Sequence, residues 1–415
     1  MVSIKNRLIA MSFLQFFVWG SWLLTIGAYW FQTKQWSSTE FGAVFATMGL
    51  ASLFMPAIAG IIADRWVNAE KLYGIFHILG AVMLFIVPMV DDPTTFFWVM
   101  FVNMMFYMPT IALSITVSYS SLKSQGFDVI KDYPPIRVWG TVGFVVALWV
   151  VSLLHFETTS AQFYVASLAS LLLGVYAFTL PKCPPQSVDS GKKGLASAFG
   201  FEAFALFRNG KMALFFIFAM LLGAALQLTN AYGDNFLHDF KNIPEFSDAI
   251  AVKYPAIIMS ISQISETLFI LTIPFFLKRF GIKQVMLFSM IAWVLRFGLF
   301  AYGNPTDGLW MIVLSCIIYG MAFDFFNISG SLFVELQCDK SIRASAQGVF
   351  MTMTNGFGAF LGSSISGVVI ERFYTLPDGG KDWKGIWIAF AGYALVLAIA
   401  FAVLFKHKHE RQNVN

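Results

Sequence analysis

Two acidic side chains, Glu266 and Asp324, stand inside long apolar stretches of the sequence. Glu266 lies in SISQISETLFILTIPFF and Asp324 in YGMAFDFFNISG. A charge at the centre of a bilayer costs at least ~2.5–3.5 kcal/mol, so such acids usually face a bundle interior or a water-filled cavity. There a carboxylate can bind a proton from one side of the membrane and release it on the other. We therefore expect each acid to bind a polar solute, to couple its transport to protons, or both.

Other polar and aromatic residues share helix faces with these acids or with one another, because residues three or four apart lie on the same side of a helix. Amides donate and accept hydrogen bonds, and aromatic rings offer flat surfaces, so such a lining suits a small, uncharged, planar polar solute. The candidate binding residues are Arg137, Thr141, Phe144, Gln227, Asn230, Gln263, Glu266, Tyr319, Phe323 and Asp324.

Several of these residues also have a structural explanation. Gln227 and Asn230 can hydrogen-bond between helices, and Tyr319 with Phe323 can be ordinary packing. Arg137 follows DYPP at the start of its apolar stretch, where an arginine can anchor a helix at the membrane surface. The solute also stays open. A nucleoside has a base that stacks and ribose hydroxyls that need partners, but aromatic faces bind hexoses too.

Arg296 is the one basic residue inside an apolar stretch. We expect a structural role for it, for example an ion pair with Glu266 or Asp324. Sodium coupling would need several oxygen ligands that converge, and the spacing of Asp324, Asn327 and Ser329 does not place all three on one helix face. Proton coupling is therefore favoured over sodium.

The composition predicts an integral membrane protein. Of 415 residues, 58% are hydrophobic and 12% charged, whereas soluble domains carry about 25% charged residues. Twelve apolar spans begin near residues 8, 42, 72, 95, 137, 161, 212, 250, 284, 308, 344 and 386. The polar stretch PKCPPQSVDSGKKG separates six spans from six. We predict a six-helix bundle over residues 1–180, a cytoplasmic linker over 181–211 and a second six-helix bundle over 212–415.

The basic residues predict the orientation of the chain. Most of the 27 Lys and Arg residues fall in alternate connections and near the two ends. Basic loops stay in the cytoplasm, so both termini are expected there. The three cysteines lack metal-ligand spacing. We find no nucleophile–base pair, metal cluster or phosphate loop in the sequence, and we predict no enzyme activity, no metal, no cofactor and no nucleic-acid partner. A ligand sensor or channel is the rival class.

Longer blocks of the sequence resemble a transporter family. GIIADR, residues 60–65, is similar to the G-x-x-x-D-R signature between spans two and three of the major facilitator superfamily, although WVNAEK follows it instead of a glycine and two basic residues. This likeness implies a gating or structural role for Asp64 and Arg65, although Asp64 can also simply cap the next turn. The blocks FLQFFVWGSWLLTIG, YMPT, DYPPIRVWGTVGF, MSISQISETLFILTIPFF, YGMAFDFFNISG and IRASAQG resemble the nucleoside:proton symporter family of that superfamily.

The resemblance covers nearly the whole chain and implies a function. It implies uptake of nucleosides, such as uridine or adenosine, driven by protons across the bacterial inner membrane by alternating access. It implies the major facilitator fold, with the candidate binding residues around the nucleoside and with Asp324 and Glu266 as candidate proton carriers. We expect a monomer in the lipid bilayer. A proton-coupled sugar or glycoside carrier of the same fold is the main alternative.

Overall fold

The computed structural model describes residues 3–185, 206–338 and 343–407. In these ranges the regular elements are helices, and the β-pairing is limited to an isolated bridge between Thr375 and Lys381. The predicted all-α fold is therefore confirmed for the described residues. The chain divides into two compact units, Met1–Phe199 and Gly200–Asn415. Much of the predicted linker, residues 181–211, lies outside the described residues.

Three helices of the first unit begin at a side-chain cap. The oxygens of Ser3, Ser37 and Asp92 each accept a hydrogen bond from the backbone N–H three residues further on, which pairs a donor that a helix start leaves free. The backbone N–H of Thr95 also holds the pKa of the Asp92 carboxyl below its usual range. The α-helices described are α1 Ile4–Gly20, α2 Ile26–Ala28, α3 Ser38–Ser52, α4 Met55–Arg65, α5 Ala69–Ile86, α6 Pro93–Ser124, α7 Val129–Leu153 and α8 Ala161–Ala177.

Two helices of the second unit also begin at a side-chain cap. Asn209 accepts from the backbone N–H groups of Lys211 and Met212, and Asp382 accepts from that of Gly385. Its α-helices are α9 Gly210–Asp239, α10 Ile250–Lys253, α11 Pro255–Ile270, α12 Ile273–Tyr302, α13 Leu309–Gln337, α14 Arg343–Met351, α15 Ala359–Phe373 and α16 Trp383–Leu404. A π-helix, Thr352–Gly358, joins α14 to α15.

The segment α12, Ile273–Tyr302, consists of two helical pieces that meet at a kink. The chain turns at Gly281, whose φ of 78° lies in the left-handed region that glycine adopts without steric cost. The piece after the kink begins at Ile282, next to the predicted start of the ninth span near residue 284.

Membrane-spanning segments account for most of the described chain. Nine segments are long and apolar enough to cross a bilayer: Ser38–Arg65, Ala69–Met89, Pro93–Ser124, Lys131–Leu153, Gly210–Asn242, Ile273–Tyr302, Leu309–Gln337, Ser345–Phe373 and Trp383–Leu404. The apolar helices α8 and α11 are shorter. A helix lies at or next to each of the twelve predicted starts, and the crossing of the bilayer by all twelve stays a prediction.

Glycine lets neighbouring helices approach closely in both units. In the first, Gly143 of α7 lies against the backbone carbonyl of Phe13 on α1. In the second, a Cβ added to Gly320 of α13 would lie 2.6 Å from the backbone oxygen of Ser265 on α11, whose hydroxyl donates to the carbonyl of Ile317. Small residues are the usual means of close helix packing in membranes. The contact at Gly320 holds α11 and α13, which carry both intramembrane acids, side by side.

Gly320→Ala is expected to destabilise the second unit, because the clashing atom is backbone and cannot rotate away. Overpacking of this kind costs about 1–3 kcal/mol, which thermal unfolding of the purified protein in detergent would measure. Gly298→Ala on α12 is the matched control, since an added Cβ there meets no atom within 4 Å. Equal melting temperatures for the two variants would show that the α11–α13 contact is not tight.

A buried polar network crosses the first unit. The side-chain oxygen of Gln15 on α1 accepts from the Tyr73 hydroxyl at 2.6 Å and lies 2.9 Å from His77 Nε2, both on α5. The side-chain amide nitrogen of Gln15 donates to the Thr110 hydroxyl on α6 at 2.9 Å. The Tyr107 hydroxyl, also on α6, donates to the backbone carbonyl of Gln15 at 2.8 Å. Because an oxygen faces His77 Nε2, that nitrogen carries a proton. Gln15 thus joins three helices through hydrogen bonds that lipid cannot replace.

Gln15→Leu is expected to lower the melting temperature strongly. It leaves the Tyr73 hydroxyl and the His77 N–H buried without an acceptor, at about 1–3 kcal/mol for each group. Gln125→Leu, at the exposed end of α6, makes the same chemical change and should leave thermal unfolding in detergent unaltered. A wild-type melting temperature for Gln15→Leu would mean that the network contributes little to stability.

Candidate functional site

The candidate site of the second unit lies where α11 faces α13. Gln263 and Glu266 project from α11, and the Gln263 side chain lies near the Tyr319 hydroxyl on α13. Tyr319 also lies within electrostatic range of Glu266 and Asp324, and the two acids interact with each other. The structure therefore brings together four of the predicted residues from two helices that the sequence could only treat one at a time.

Aromatic rings form one side of this group. Tyr319 and Phe323, one helical turn apart on α13, stack with an interplanar angle of 2° and ring centroids 5.8 Å apart. Trp293 of α12 meets Tyr319 edge-on, at 6.0 Å and 90°. Phe323 and Trp293 also line a small pocket, together with Leu226 of α9. A flat solute would find parallel ring faces here.

Several buried side-chain oxygens of this unit have no hydrogen-bond partner among the described residues, and two of them belong to predicted binding residues. Asp324 is 4% exposed and its Oδ2 is unpaired; Gln227 on α9 is 5% exposed and its Oε1 is unpaired. Leaving a buried acceptor unsatisfied costs about 1–3 kcal/mol. Asn230, three residues after Gln227, is half-buried. A solute with hydroxyl or N–H donors would satisfy these atoms, so their state fits binding better than the helix–helix hydrogen bonds that the sequence also allows for Gln227.

Arg296 does not form the ion pair that the sequence suggests. Its guanidinium donates to the Ser315 carbonyl at 2.7 Å and to the Ser262 hydroxyl at 3.4 Å, and its central carbon lies 4.7 Å from the centre of the Tyr319 ring. In the described part of the chain, no carboxylate lies within ion-pair distance of it. The partners are uncharged because α12 turns this side chain toward hydroxyl, carbonyl and ring atoms of its neighbours. A structural role for Arg296 stays a prediction.

The first unit places its predicted residues on α7, beside the aromatic side of α1. The guanidinium of Arg137 lies 4.1 Å over the Phe16 ring, and Phe144 meets Trp19 edge-on at 6.5 Å. Trp19 in turn lies 5.5 Å from the ring of Tyr107. Tyr107 also donates to the backbone carbonyl of Gln15. The predicted residues of this unit therefore adjoin the Gln15 network, which links α1 to α6.

The remaining predicted residues of the first unit differ in exposure. Thr141 is half-buried on α7 between Arg137 and Phe144. Asp64 and Arg65 are exposed at the end of α4. The N-cap of the next helix, α5, is Asn68 rather than Asp64, so Asp64 does not cap it. A gating role for Asp64 and Arg65 stays a prediction.

Two aromatic residues that adjoin predicted residues, Trp19 in the first unit and Trp293 in the second, are absent from the predicted set. The indole nitrogen of Trp19 is buried without a partner among the described residues, so it can donate to a ligand. Trp293 stands three residues before Arg296, on the same face of α12. That spacing is the signal that could have identified Trp293 from sequence, and Gln15, four residues before Trp19, is the corresponding signal for Trp19.

Known proteins resemble this chain over its whole length. A family model described as "Nucleoside H+ symporter" matches residues 2–410. Xanthosine permease of Escherichia coli (strain K12) is 56% identical over 414 residues, covering 100% of this chain and 98% of the relative. Nucleoside permease NupG of the same organism is 51% identical over 411 residues, covering 99% and 98%.

Solved structures agree with these relatives. A crystal structure of the nucleoside transporter NupG matches with a TM-score of 0.92 at 51% identity, over 98% of this chain and 100% of that one. The POT family transporter PepTSo matches with a TM-score of 0.72 at 13% identity, over 96% and 97%, which shows the fold alone. The chain is a multi-pass membrane protein, and it belongs to the nucleoside H+ symporter family, whose transporters have the major facilitator fold.

Proposed function

We propose that the buried acceptors Asp324 Oδ2 and Gln227 Oε1 bind the hydroxyl groups of a nucleoside while its base stacks on the rings of α13. The family is one of transporters rather than enzymes, and its members move nucleosides with protons. The unpaired state of these two oxygens carries the proposal, because a ribose supplies the donors that they lack. Tyr319 and Phe323 supply the parallel faces for the base.

The other candidate residues complete the proposed site. Gln263 and Asn230 can donate and accept, which suits the mixed polar edge of a base. Arg137, Thr141 and Phe144 are the proposed nucleoside-binding residues of the first unit. Uridine and adenosine are the proposed substrates, and the names of the relatives, xanthosine permease and nucleoside permease, support this class of solute.

Glu266 and Asp324 are the proposed proton carriers. They lie close enough to interact electrostatically, so they repel each other when both are ionised. One proton bound by the pair removes that repulsion, and the pair then titrates as a unit. A proton taken up from outside and released inside would link substrate movement to the proton gradient by alternating access.

The finer architecture is also a proposal. We place twelve spans in two six-helix bundles, residues 1–180 and 212–415, joined by a cytoplasmic linker over 181–211. Helices at each predicted start support this count, and the distribution of Lys and Arg supports cytoplasmic termini. The bacterial inner membrane is the proposed location, and a monomer is the proposed transport unit.

Asp324→Asn and Glu266→Gln should each impair uptake, because they keep size but remove the carboxylate. We expect initial rates in proteoliposomes with an imposed pH gradient to fall by about tenfold or more, as when a charge-assisted hydrogen bond is lost. At least one variant should also lose its response to the gradient. Asp307→Asn, in the exposed connection after α12, is the control. Full uphill transport by both intramembrane variants would contradict the proposed coupling.

Competition tests the substrate class. Uptake of labelled uridine should be inhibited by unlabelled nucleosides and unaffected by hexoses at equal concentration, because hexoses lack a base to stack on Tyr319 and Phe323. Inhibition by hexoses alone would favour the sugar carrier. Accumulation of uridine above its outside concentration separates a symporter from a channel, which only equilibrates, and from a sensor, which moves nothing.

A further inference from the structure

Arg296 holds a buried cation beside the proposed nucleoside site. It is 1% exposed, and a charge in such a place is costly unless neighbouring groups stabilise it. The guanidinium donates to Ser262 on α11 and to the Ser315 carbonyl on α13, and it lies over the Tyr319 ring. All three contacts are with the two helices that carry the acids.

Tyr319 is the point where this cation meets the proposed site. Arg296 lies 4.7 Å from its ring centre, Trp293 meets the ring edge-on, and Phe323 stacks parallel to it. The Tyr319 hydroxyl lies near the Gln263 side chain. A cation over an aromatic face is stabilising, and more so where water is excluded. The orientation of the Tyr319 ring thus depends on Arg296. The same ring adjoins two proposed binding residues, Gln263 and Phe323.

We propose that Arg296 is a positioning residue for nucleoside binding. It ties α11 to α13 and fixes the Tyr319 ring, so that Gln263 and the Tyr319–Phe323 stack keep the geometry that a nucleoside meets. The inference rests on the proposed function and names a residue that does not itself touch the nucleoside.

The shape of the guanidinium matters as well as its charge. A planar guanidinium can lie over a ring while it donates within its own plane to two oxygens, whereas an ammonium is a compact point charge on a flexible stem. Lysine at position 296 would keep the charge but could not make the contacts with Ser262, Ser315 and Tyr319 together. Arg296→Lys therefore separates positioning from charge.

The test measures uridine binding to the purified full-length protein by titration calorimetry. Arg296→Lys and Arg296→Met should each raise the Kd by about tenfold, the size of effect expected for a desolvated cation–π contact. In a Tyr319→Leu background the same substitutions should change the Kd by less than about twofold, because coupled residues are non-additive. Arg279→Lys and Arg279→Met are the controls, since Arg279 lies before the kink at Gly281, away from the proposed contacts, and contacts the Phe280 ring but is exposed.

A purely structural Arg296 predicts a different result. Its substitution would lower the melting temperature, leave the Kd of the folded protein at the wild-type value and show no coupling to Tyr319; that pattern overturns the inference. If neither Arg296 variant folds, Ser262→Ala decides, because it removes one acceptor and no charge: a raised Kd supports positioning and an unchanged Kd rejects it. The proposed function fails separately, if the wild-type protein binds no nucleoside.

Discussion

Hydrocarbon offers no hydrogen-bond partners, so each polar atom inside a membrane span needs a partner from the protein or from a solute. Gln15 meets this requirement within the first unit, through Tyr73, His77 and Thr110. Asp324 Oδ2 and Gln227 Oε1 do not meet it among the described residues. Thr229 and Ser329 also lack a partner there, so the proposed role of Asp324 and Gln227 rests as well on their place beside the aromatic rings of the candidate site.

Close backbone packing places the polar side chains of α11 and α13 next to one another. With Gly320 against Ser265, the two helices lie near enough to place Gln263 beside the Tyr319 hydroxyl. A larger residue at position 320 would separate the helices and leave each amide and carboxylate alone in an apolar environment. The same small residue thus serves packing and the placement of polar side chains.

The sequence predicted well what depends on one helix at a time. The apolar runs located the helices, and spacings of three and four grouped Gln263 with Glu266 and Tyr319 with Phe323, which the structure places near one another. It failed where the answer depends on how neighbouring helices are rotated. Opposite charges suggested an ion pair for Arg296, yet its neighbours are Ser262, Ser315 and Tyr319. Trp293 was missed although it stands three residues before Arg296, because aromatic residues in an apolar run are usually ordinary packing.

The buried ionisable groups of the second unit differ in whether they can exchange a proton, and their positions fit this difference. A guanidinium keeps its proton in proteins, whereas a carboxylate can gain or lose one. Arg296 is held by uncharged partners on α11 and α13, so its charge does not neutralise Glu266 or Asp324 in a fixed ion pair. An ion pair with either acid would stabilise the ionised carboxylate and oppose proton binding. Because Arg296 lies over the ring of Tyr319 and no carboxylate of the described residues is within ion-pair distance of it, a fixed ion pair with Arg296 does not oppose the proposed proton exchange by the two acids.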